Sequence, residues 1–110
     1  MSKIVKFKNF TCKVNYGYYV DSGCLAITLV DAKDDSPVAT STVNLENIRP
    51  HDNCVFIKSY SENSGMARAL IQAGIIEPMS NRRITTGFVD IEEYRLTIDA
   101  IEDIKSKRYS

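Results

Sequence analysis

The segment Lys58-Ser-Tyr-Ser-Glu-Asn-Ser64 places charged, aromatic and hydroxyl side chains directly before an apolar helical pattern. Ser59 and Glu62, three residues apart, fit a capping box, in which each side chain accepts a hydrogen bond from the other residue's backbone N–H group. The segment matches no catalytic or cofactor signature, so recognition of a partner is the chemistry that it favours. We expect the partner-binding residues of this helix entry to be Lys58, Tyr60, Glu62 and Asn63.

The same stretch offers an alternative, because Ser61–Gly65 resembles the small-residue loops that bind phosphate at a helix N-terminus. However, the chain contains neither Gly-x-x-x-x-Gly-Lys nor Gly-x-Gly-x-x-Gly, and the carboxylate of Glu62 repels phosphate. Plain helix capping is the simpler interpretation. A module that sequesters a small anionic ligand or a nucleotide signal is therefore the alternative function.

Arg82 and Arg83 are a second candidate for contact with a partner. They follow the helix in the chain, and a helix and the next strand are usually neighbours, so a shared basic-aromatic patch with Lys58, Tyr60 and Arg68 is expected. Such patches bind phosphate backbones or acidic protein surfaces. The simpler interpretation is a solvated sheet edge.

Residues that could support catalysis or metal binding are few. His51, the only histidine, lies three residues before Cys54, but a nucleophilic pair also needs an orienting third group and an oxyanion site. The acid pairs Asp34–Asp35 and Glu92–Glu93 are adjacent, and neighbours in a strand point to opposite faces. We interpret these acids as solvated charges. The sequence predicts no enzyme activity, no catalytic residue, no metal site and no cofactor.

The composition indicates an ordinary globular protein. Its 110 residues suit one domain, 1–110, and 14 basic residues balance 14 acidic ones. This balance gives no reason to expect sequence-specific nucleic-acid binding. Absence of a long apolar run predicts no membrane association and a cytoplasmic location. The cysteines, Cys12, Cys24 and Cys54, form no Cys-x-x-Cys pair and suit buried positions as small hydrophobes.

The first half of the chain predicts a meander of strands. Apolar residues alternate with polar ones from Phe10 to Tyr18, and the turn Asp21-Ser-Gly23 follows. Folding the chain about this turn pairs Tyr18 with Leu25, Tyr16 with Ile27 and Val14 with Leu29, which places one apolar set on one face. In this register Tyr19 points outward and is a further candidate for partner contact. A threonine-rich strand over 38–45 and a buried strand over 54–57 follow.

The second half predicts one central helix with an apolar stripe from Met66 to Ala73, ended by Gly74 as a left-handed cap. A turn over 77–81, a strand over 82–89 and another strand over 91–97 come next. Isoleucines at 98, 101 and 104 predict a C-terminal helix over 98–110 with a frayed tail. The fold expected is α+β: an antiparallel sheet of about five or six strands packed on one central helix, with a short C-terminal helix.

Four runs of the sequence together resemble a small bacterial family catalogued as domain of unknown function 4313. They are Val43-Asn-Leu45, Phe56-Ile-Lys-Ser-Tyr-Ser-Glu-Asn-Ser-Gly65, Ala69-Leu-Ile-Gln-Ala-Gly-Ile-Ile76 and Thr86-Gly-Phe-Val89. The resemblance covers roughly residues 10 to 97. Most of these positions are capping and core residues, so only Lys58, Tyr60, Glu62 and Asn63 carry over as functional positions.

The resemblance implies a genomic context for the protein but no chemical reaction. Members of this family are short proteins of mobile elements, phages and plasmids, where small non-enzymatic proteins often block host defences. The function expected is therefore stoichiometric inhibition of a host defence complex, such as a CRISPR–Cas effector. The partner expected is a host or phage protein or nucleoprotein complex. A homodimer through an unpaired strand edge or the C-terminal helix is a further expectation.

Overall fold

The computed structural model of the chain describes residues 3–87 and 89–108. Its elements are β1 (Ile4–Phe7), β2 (Phe10–Tyr18), β3 (Leu25–Asp31), β4 (Pro37–Thr40), β5 (Cys54–Ile57), α1 (Met66–Gln72), β6 (Ile76–Thr86), β7 (Val89–Leu96) and α2 (Ile98–Arg108). The fold is α+β, as expected. However, the strands form two antiparallel sheets, in the orders β1-β2-β3-β4 and β5-β7-β6, instead of the single sheet predicted.

One hydrophobic core explains why there are two sheets. Each sheet has an apolar face, and a single layer would need a much larger helical cover than the 7-residue α1 provides. The core draws on β1, β2 and β3 of the first sheet and on β5 and β7 of the second. Helix α1 contacts β1 and β6 instead of lying centrally across one sheet. The principal buried core residues are Val5, Val14, Ile27, Leu29, Val55, Ile57, Leu70, Ile76 and Leu96.

A short junction, Ser41-Thr42, connects the two sheets. The N–H group of Ser41 donates to the carbonyl of Ile27 in β3, and the carbonyl of Ser41 accepts from Lys58, both at 2.8 Å. Thr42 forms an isolated bridge with Ile57 of β5. The threonine-rich strand predicted over 38–45 therefore ends early, because its second half leaves β3 to bond with β5.

The first hairpin has the register that the sequence predicts. Tyr18 lies opposite Leu25, Tyr16 opposite Ile27 and Val14 opposite Leu29. The period of two and the turn over 21–23 are both local features, so they suffice to determine the pairing. Tyr16 packs against the core. Tyr18 is half exposed at the strand end, contrary to the expectation that it is buried.

The turn predicted over 77–81 is instead the start of the 11-residue strand β6. Register shifts between Ile76 and Ser80, and again between Ser80 and Arg82, mark bulges there. Pro78 has no N–H group to donate, and β6 lies at the edge of its sheet, where proline and bulges are tolerated. The proline and glutamate that suggested a turn therefore interrupt the pairing without ending the strand.

The helices follow the predicted apolar spacing. Gly74 has φ of +77° after α1, and the N–H group of Ile75 donates to the carbonyl of Leu70, which completes the expected left-handed cap. Helix α2 extends to Arg108 and buries Ala100 and Ile104. Of the tail that was expected to fray, residues 105–108 are helical, and 109–110 lie outside the described residues, as does Phe88.

Candidate functional site

The helix entry contains an additional turn that the sequence does not predict. Ser61–Asn63 forms a 3-10 turn, and Gly65, at φ of +88°, is the residue before α1. The expected capping box is wrong, because the hydroxyl of Ser59 accepts from the N–H group of Ala67, at 3.0 Å, instead of from Glu62. Ser59 therefore caps α1 across the turn, and the turn is displaced outward from the helix.

Lysine side chains surround Glu62 on this turn. Nζ of Lys58 lies 2.6 Å from Oε1 of Glu62, and Nζ of Lys8 donates to the carbonyl of Glu62 at 2.6 Å. The hydrogen bond from Lys58 holds the pKa of Glu62 below its ordinary value, and the same bond raises the pKa of Lys58. Nζ of Lys58 also lies 5.7 Å from the ring centre of Tyr60. The sequence identifies this charge pair as a feature of the entry but does not predict the approach of Lys8.

Asn63 does not face solvent, contrary to expectation. It is only 3% exposed, and its Nδ2 donates to the carbonyl of Thr40 at 2.7 Å. A short amide side chain within a turn reaches backbone groups more readily than a distant partner, and here it joins the turn to the end of β4. Asn63 therefore supports the surface without being available for contact.

Arg68 is exposed on the first turn of α1. It has no ion-pair partner among the residues that the structure describes. We name Lys8, Lys58, Tyr60, Glu62 and Arg68 the helix-entry surface. It carries three cationic side chains and one acidic one, so it is locally basic although the chain as a whole is neutral.

Tyr19 does not point outward, contrary to expectation. Its hydroxyl lies 2.9 Å from Oγ1 of Thr42 and donates to the carbonyl of Thr42 at 3.2 Å. The strand alternation that predicts an outward Tyr19 ends at Tyr18, where the chain enters the turn. Tyr19 therefore ties the first hairpin to the junction between the sheets.

The two arginines expected to act together are separated. Arg82 pairs with Glu93 and Arg83 with Glu92 across the ladder, so the arginines lie on opposite faces of the sheet. The side chain of Arg83 is 61% exposed, and its guanidinium lies 3.7 Å from the carboxylate of Glu92 and 4.0 Å from that of Asp90. The patch expected around both arginines is therefore wrong, and the charge of Arg83 is largely matched by adjacent acids.

Arg82 instead belongs to a group around a buried carboxylate that the sequence does not predict, which we name the Glu93 cluster (His51, Arg82 and Glu93). Glu93 is 0% exposed, and its carboxylate accepts from the backbone N–H of His51 at 2.8 Å and lies 2.9 Å from Nδ1 of the same residue. Arg82 places a guanidinium nitrogen 3.4 Å from that carboxylate and also donates to the carbonyl of Arg49 at 2.7 Å. These bonds hold the loop that carries Arg49 and His51 against the sheet.

The chemistry of the cluster follows from its burial. Burial alone would raise the pKa of Glu93, but the hydrogen bonds from the side chain and backbone of His51 and the charge of Arg82 outweigh it and lower the pKa. The guanidinium of Arg82 also lies 5.5 Å from the ring centre of Phe56, on the same face. The interpretation of Glu92–Glu93 as two solvated charges is therefore wrong for Glu93. The sequence gives one indication that Glu93 is buried. It lies two residues after Ile91 in the strand, so the two side chains point to the same face.

The thiols occupy the inert positions expected of small hydrophobes. Cys12 and Cys54 are buried and Cys24 is half-buried, and none forms a disulfide. Burial raises the pKa of the Cys12 and Cys54 thiols, which opposes formation of a thiolate. The thiol of Cys54 accepts a hydrogen bond from Asn81, whereas the ring of His51 bonds to Glu93. The His51–Cys54 pair considered from the sequence is therefore not assembled.

The described residues, 3–87 and 89–108, also bear on metal binding and on membrane insertion. Within those ranges, no three His, Cys, Asp or Glu side chains converge on a potential metal position. Within the same ranges, neither helix has the length and apolar character needed to cross a bilayer.

Comparison of the chain with family models, with curated proteins and with solved structures gives no match of any kind. The resemblance to domain of unknown function 4313 therefore stays a prediction from the sequence.

Proposed function

We propose that this protein is a non-enzymatic binding protein that acts by stoichiometric association through its helix-entry surface. The observation that supports the proposal is the approach of Lys8 and Lys58 to Glu62 on one exposed turn. This turn directly precedes the helix whose first turn carries the exposed Arg68. Arg68 has no ion-pair partner among the described residues, so its charge is free to meet a partner's acid or phosphate group.

The rigid support beneath the surface also favours binding. The bond from Asn63 to Thr40 and the bond from Ala67 to Ser59 both hold the turn from within, at 2.7 and 3.0 Å. A turn held in this way loses little conformational entropy on association, and pre-organisation of this kind improves affinity. Within Ser61–Gly65, the N–H groups of Asn63 and Ser64 already donate to the carbonyls of Tyr60 and Ser61. The helix entry is therefore less suited to a phosphate than the alternative interpretation of the sequence requires.

The partner that we propose is a nucleoprotein complex of a host defence system, such as a CRISPR–Cas effector. Two considerations lead to this class. A basic surface with an aromatic ring complements acidic protein surfaces and phosphate backbones. The family resemblance noted from the sequence implies a mobile element or phage, and hence a cytoplasmic site of action against host defences.

Titration of the purified protein into a CRISPR–Cas effector, with DNA cleavage as the readout, tests this function. We expect cleavage to fall linearly with added protein and to stop at a fixed molar ratio. Arg68→Glu should weaken inhibition at least about tenfold, because it replaces an attractive charge with a repulsive one. Its unfolding free energy should change by less than about 0.5 kcal/mol, since Arg68 is exposed.

Lys33→Glu is the matched control, because Lys33 is an exposed lysine in the turn between β3 and β4. It makes the same charge reversal away from the helix entry and should inhibit as the native protein does. Full inhibition by Arg68→Glu would show that another surface binds the effector. Inhibition at far below one protein per effector would contradict a stoichiometric mechanism, and a lack of inhibition would contradict the proposed partner class.

A further inference from the structure

A cleft of about 340 Å³ lies on another part of the molecule, between the first hairpin, the loop that carries His51 and helix α2. Leu25, Leu96, Ile101 and Ile104 contribute apolar side chains to it, and His51 contributes an imidazole. Its volume is at the lower end of the range for small-molecule sites, which are mostly apolar with a few fixed polar groups. It shares no residue with the helix-entry surface.

The imidazole in this cleft is held in one orientation. Nδ1 of His51 lies 2.9 Å from the carboxylate of Glu93, and the backbone N–H of the same histidine donates to that carboxylate at 2.8 Å. Glu93 is fully buried and its pKa is lowered, so its carboxylate is ionised at neutral pH and can only accept hydrogen bonds. The proton of the neutral imidazole is therefore on Nδ1, and Nε2 carries a lone pair.

In the neutral imidazole, Nε2 is thus an acceptor with a fixed direction. It has no hydrogen-bond partner among the residues that the structure describes, and the His51 side chain is 67% exposed. The charged residues of the cleft, Arg49, Asp52 and Lys105, are of both signs, so they do not select a strongly charged ligand. The acceptor and the aliphatic walls are the selective features.

We infer that this cleft is a binding site for small phenols, or for similarly sized hydroxyl-bearing rings. The ring packs against Leu25 and Ile101, and the hydroxyl donates its hydrogen bond to Nε2 of His51. A phenolic hydroxyl is a strong donor attached to an apolar body, which matches an acceptor beside aliphatic walls. No covalent step is involved, and the site is independent of the proposed function.

Titrations of the native protein with phenol and with toluene, followed by NMR, test the inference. The two probes have nearly the same size, and only phenol donates a hydrogen bond. We expect phenol to shift the ring signals of His51, the chain's only histidine, and the methyl signals of Leu25 and Ile101. Toluene should bind about tenfold more weakly, which is the usual effect of one hydrogen bond. The ¹⁵N shifts of the ring should show the proton on Nδ1.

Ile101→Trp fills the cleft and should abolish the phenol shifts. Ile98→Trp is the matched control, because it makes the same replacement on the exposed face of α2 and should leave them unchanged. Equal affinities for phenol and toluene, no shifts at the cleft residues, or a neutral ring protonated on Nε2 would each overturn the inference. These three measurements use the native chain, so they hold even if Ile101→Trp does not fold.

Discussion

The helix-entry surface and the Glu93 cluster are each built around one glutamate, and the surroundings of the two glutamates are opposite. In each, two basic side chains approach one glutamate: Lys8 and Lys58 approach Glu62, and His51 and Arg82 approach Glu93. The side chain of Glu62 is 68% exposed, whereas that of Glu93 is completely buried. A glutamate approached by two basic side chains can therefore be largely exposed in one place and completely enclosed in another.

Solvation explains this difference. Water screens the charges around Glu62, so their mutual attraction contributes little to stability. Glu93 has lost its water, and the bonds from His51 and Arg82 replace that hydration. Loss of His51 or Arg82 would leave the buried carboxylate of Glu93 short of donors with no water to replace them, whereas the partners of an exposed charge stay hydrated.

The largest expected effect is that of Glu93→Ala. The substitution leaves Arg82 and the backbone N–H of His51 without their acceptor and releases the loop that they hold. We expect the unfolding free energy to fall by about 3 kcal/mol, toward the lower end for a broken buried pair because Arg82 and His51 are partly exposed. Urea denaturation followed by circular dichroism measures this loss.

Glu62→Ala is the counterpart in the helix-entry surface and should leave the urea midpoint unchanged. It removes the same side-chain type from an exposed pair. If both alanine substitutions shift the midpoint equally, burial does not distinguish the two regions and the comparison fails.

Asn63→Ala tests whether Asn63 belongs to the helix-entry surface or to its support, because this residue lies within the exposed turn and yet is buried. The substitution leaves the carbonyl of Thr40 without its side-chain donor, so we expect a loss of about 1 to 2 kcal/mol of unfolding free energy. Ser64→Ala, at the adjacent exposed position, is the control and should be neutral. A neutral Asn63→Ala in the same urea experiment would place this residue back among the candidates for partner contact.

The dependence of stability on pH provides a third test of the comparison, with a smaller expected effect. The pKa of Glu93 is lowered from its ordinary value of 4.5, so the unfolded chain takes up a proton at this site more readily than the folded protein. The resulting stability is present above pH 4.5 and is lost as the pH falls through the lower pKa of the folded state.

Glu93→Gln removes this ionisation with little change of shape. Between pH 5 and pH 3, in the range of ordinary carboxyl pKa values, the urea midpoint of the native protein should fall more steeply than that of Glu93→Gln. Glu62→Gln, in the exposed pair, should retain the native pH profile more closely than Glu93→Gln does. Parallel profiles for the native protein and Glu93→Gln would show that Glu93 does not titrate differently in the two states.

Features determined within a few residues could be predicted from the sequence. The register of the first hairpin follows from strict alternation beside a compact turn, and the end of α1 follows from Gly74 and the apolar residues after it. The buried strand β5 follows in the same way from four consecutive apolar residues. Lys58, Glu62 and Arg68 could also be placed at an exposed helix entry, because local polarity indicates solvent.

Features that depend on what covers a surface could not be predicted. Glu92 and Glu93 are the same residue type in one strand, and alternation shows only that they face opposite sides. The loop of His51, far away in the chain, decides that Glu93 is the buried one. Likewise, the sequence around Tyr19 and Asn63 predicts exposed side chains. In the folded protein, however, Tyr19 bonds to Thr42 and Asn63 bonds to Thr40.

The sequence alone therefore determined the period of the first strands, the C-terminal cap of α1 and the local charge of the helix entry, because neighbours in the chain produce these features. Only the tertiary structure decided that the strands divide into two sheets, that Arg82 and Arg83 separate, and that the carboxylate of Glu93 is enclosed beside His51 and Arg82. The physical reason is that desolvation depends on groups brought together across the fold. A residue's own neighbours in the chain do not reveal it.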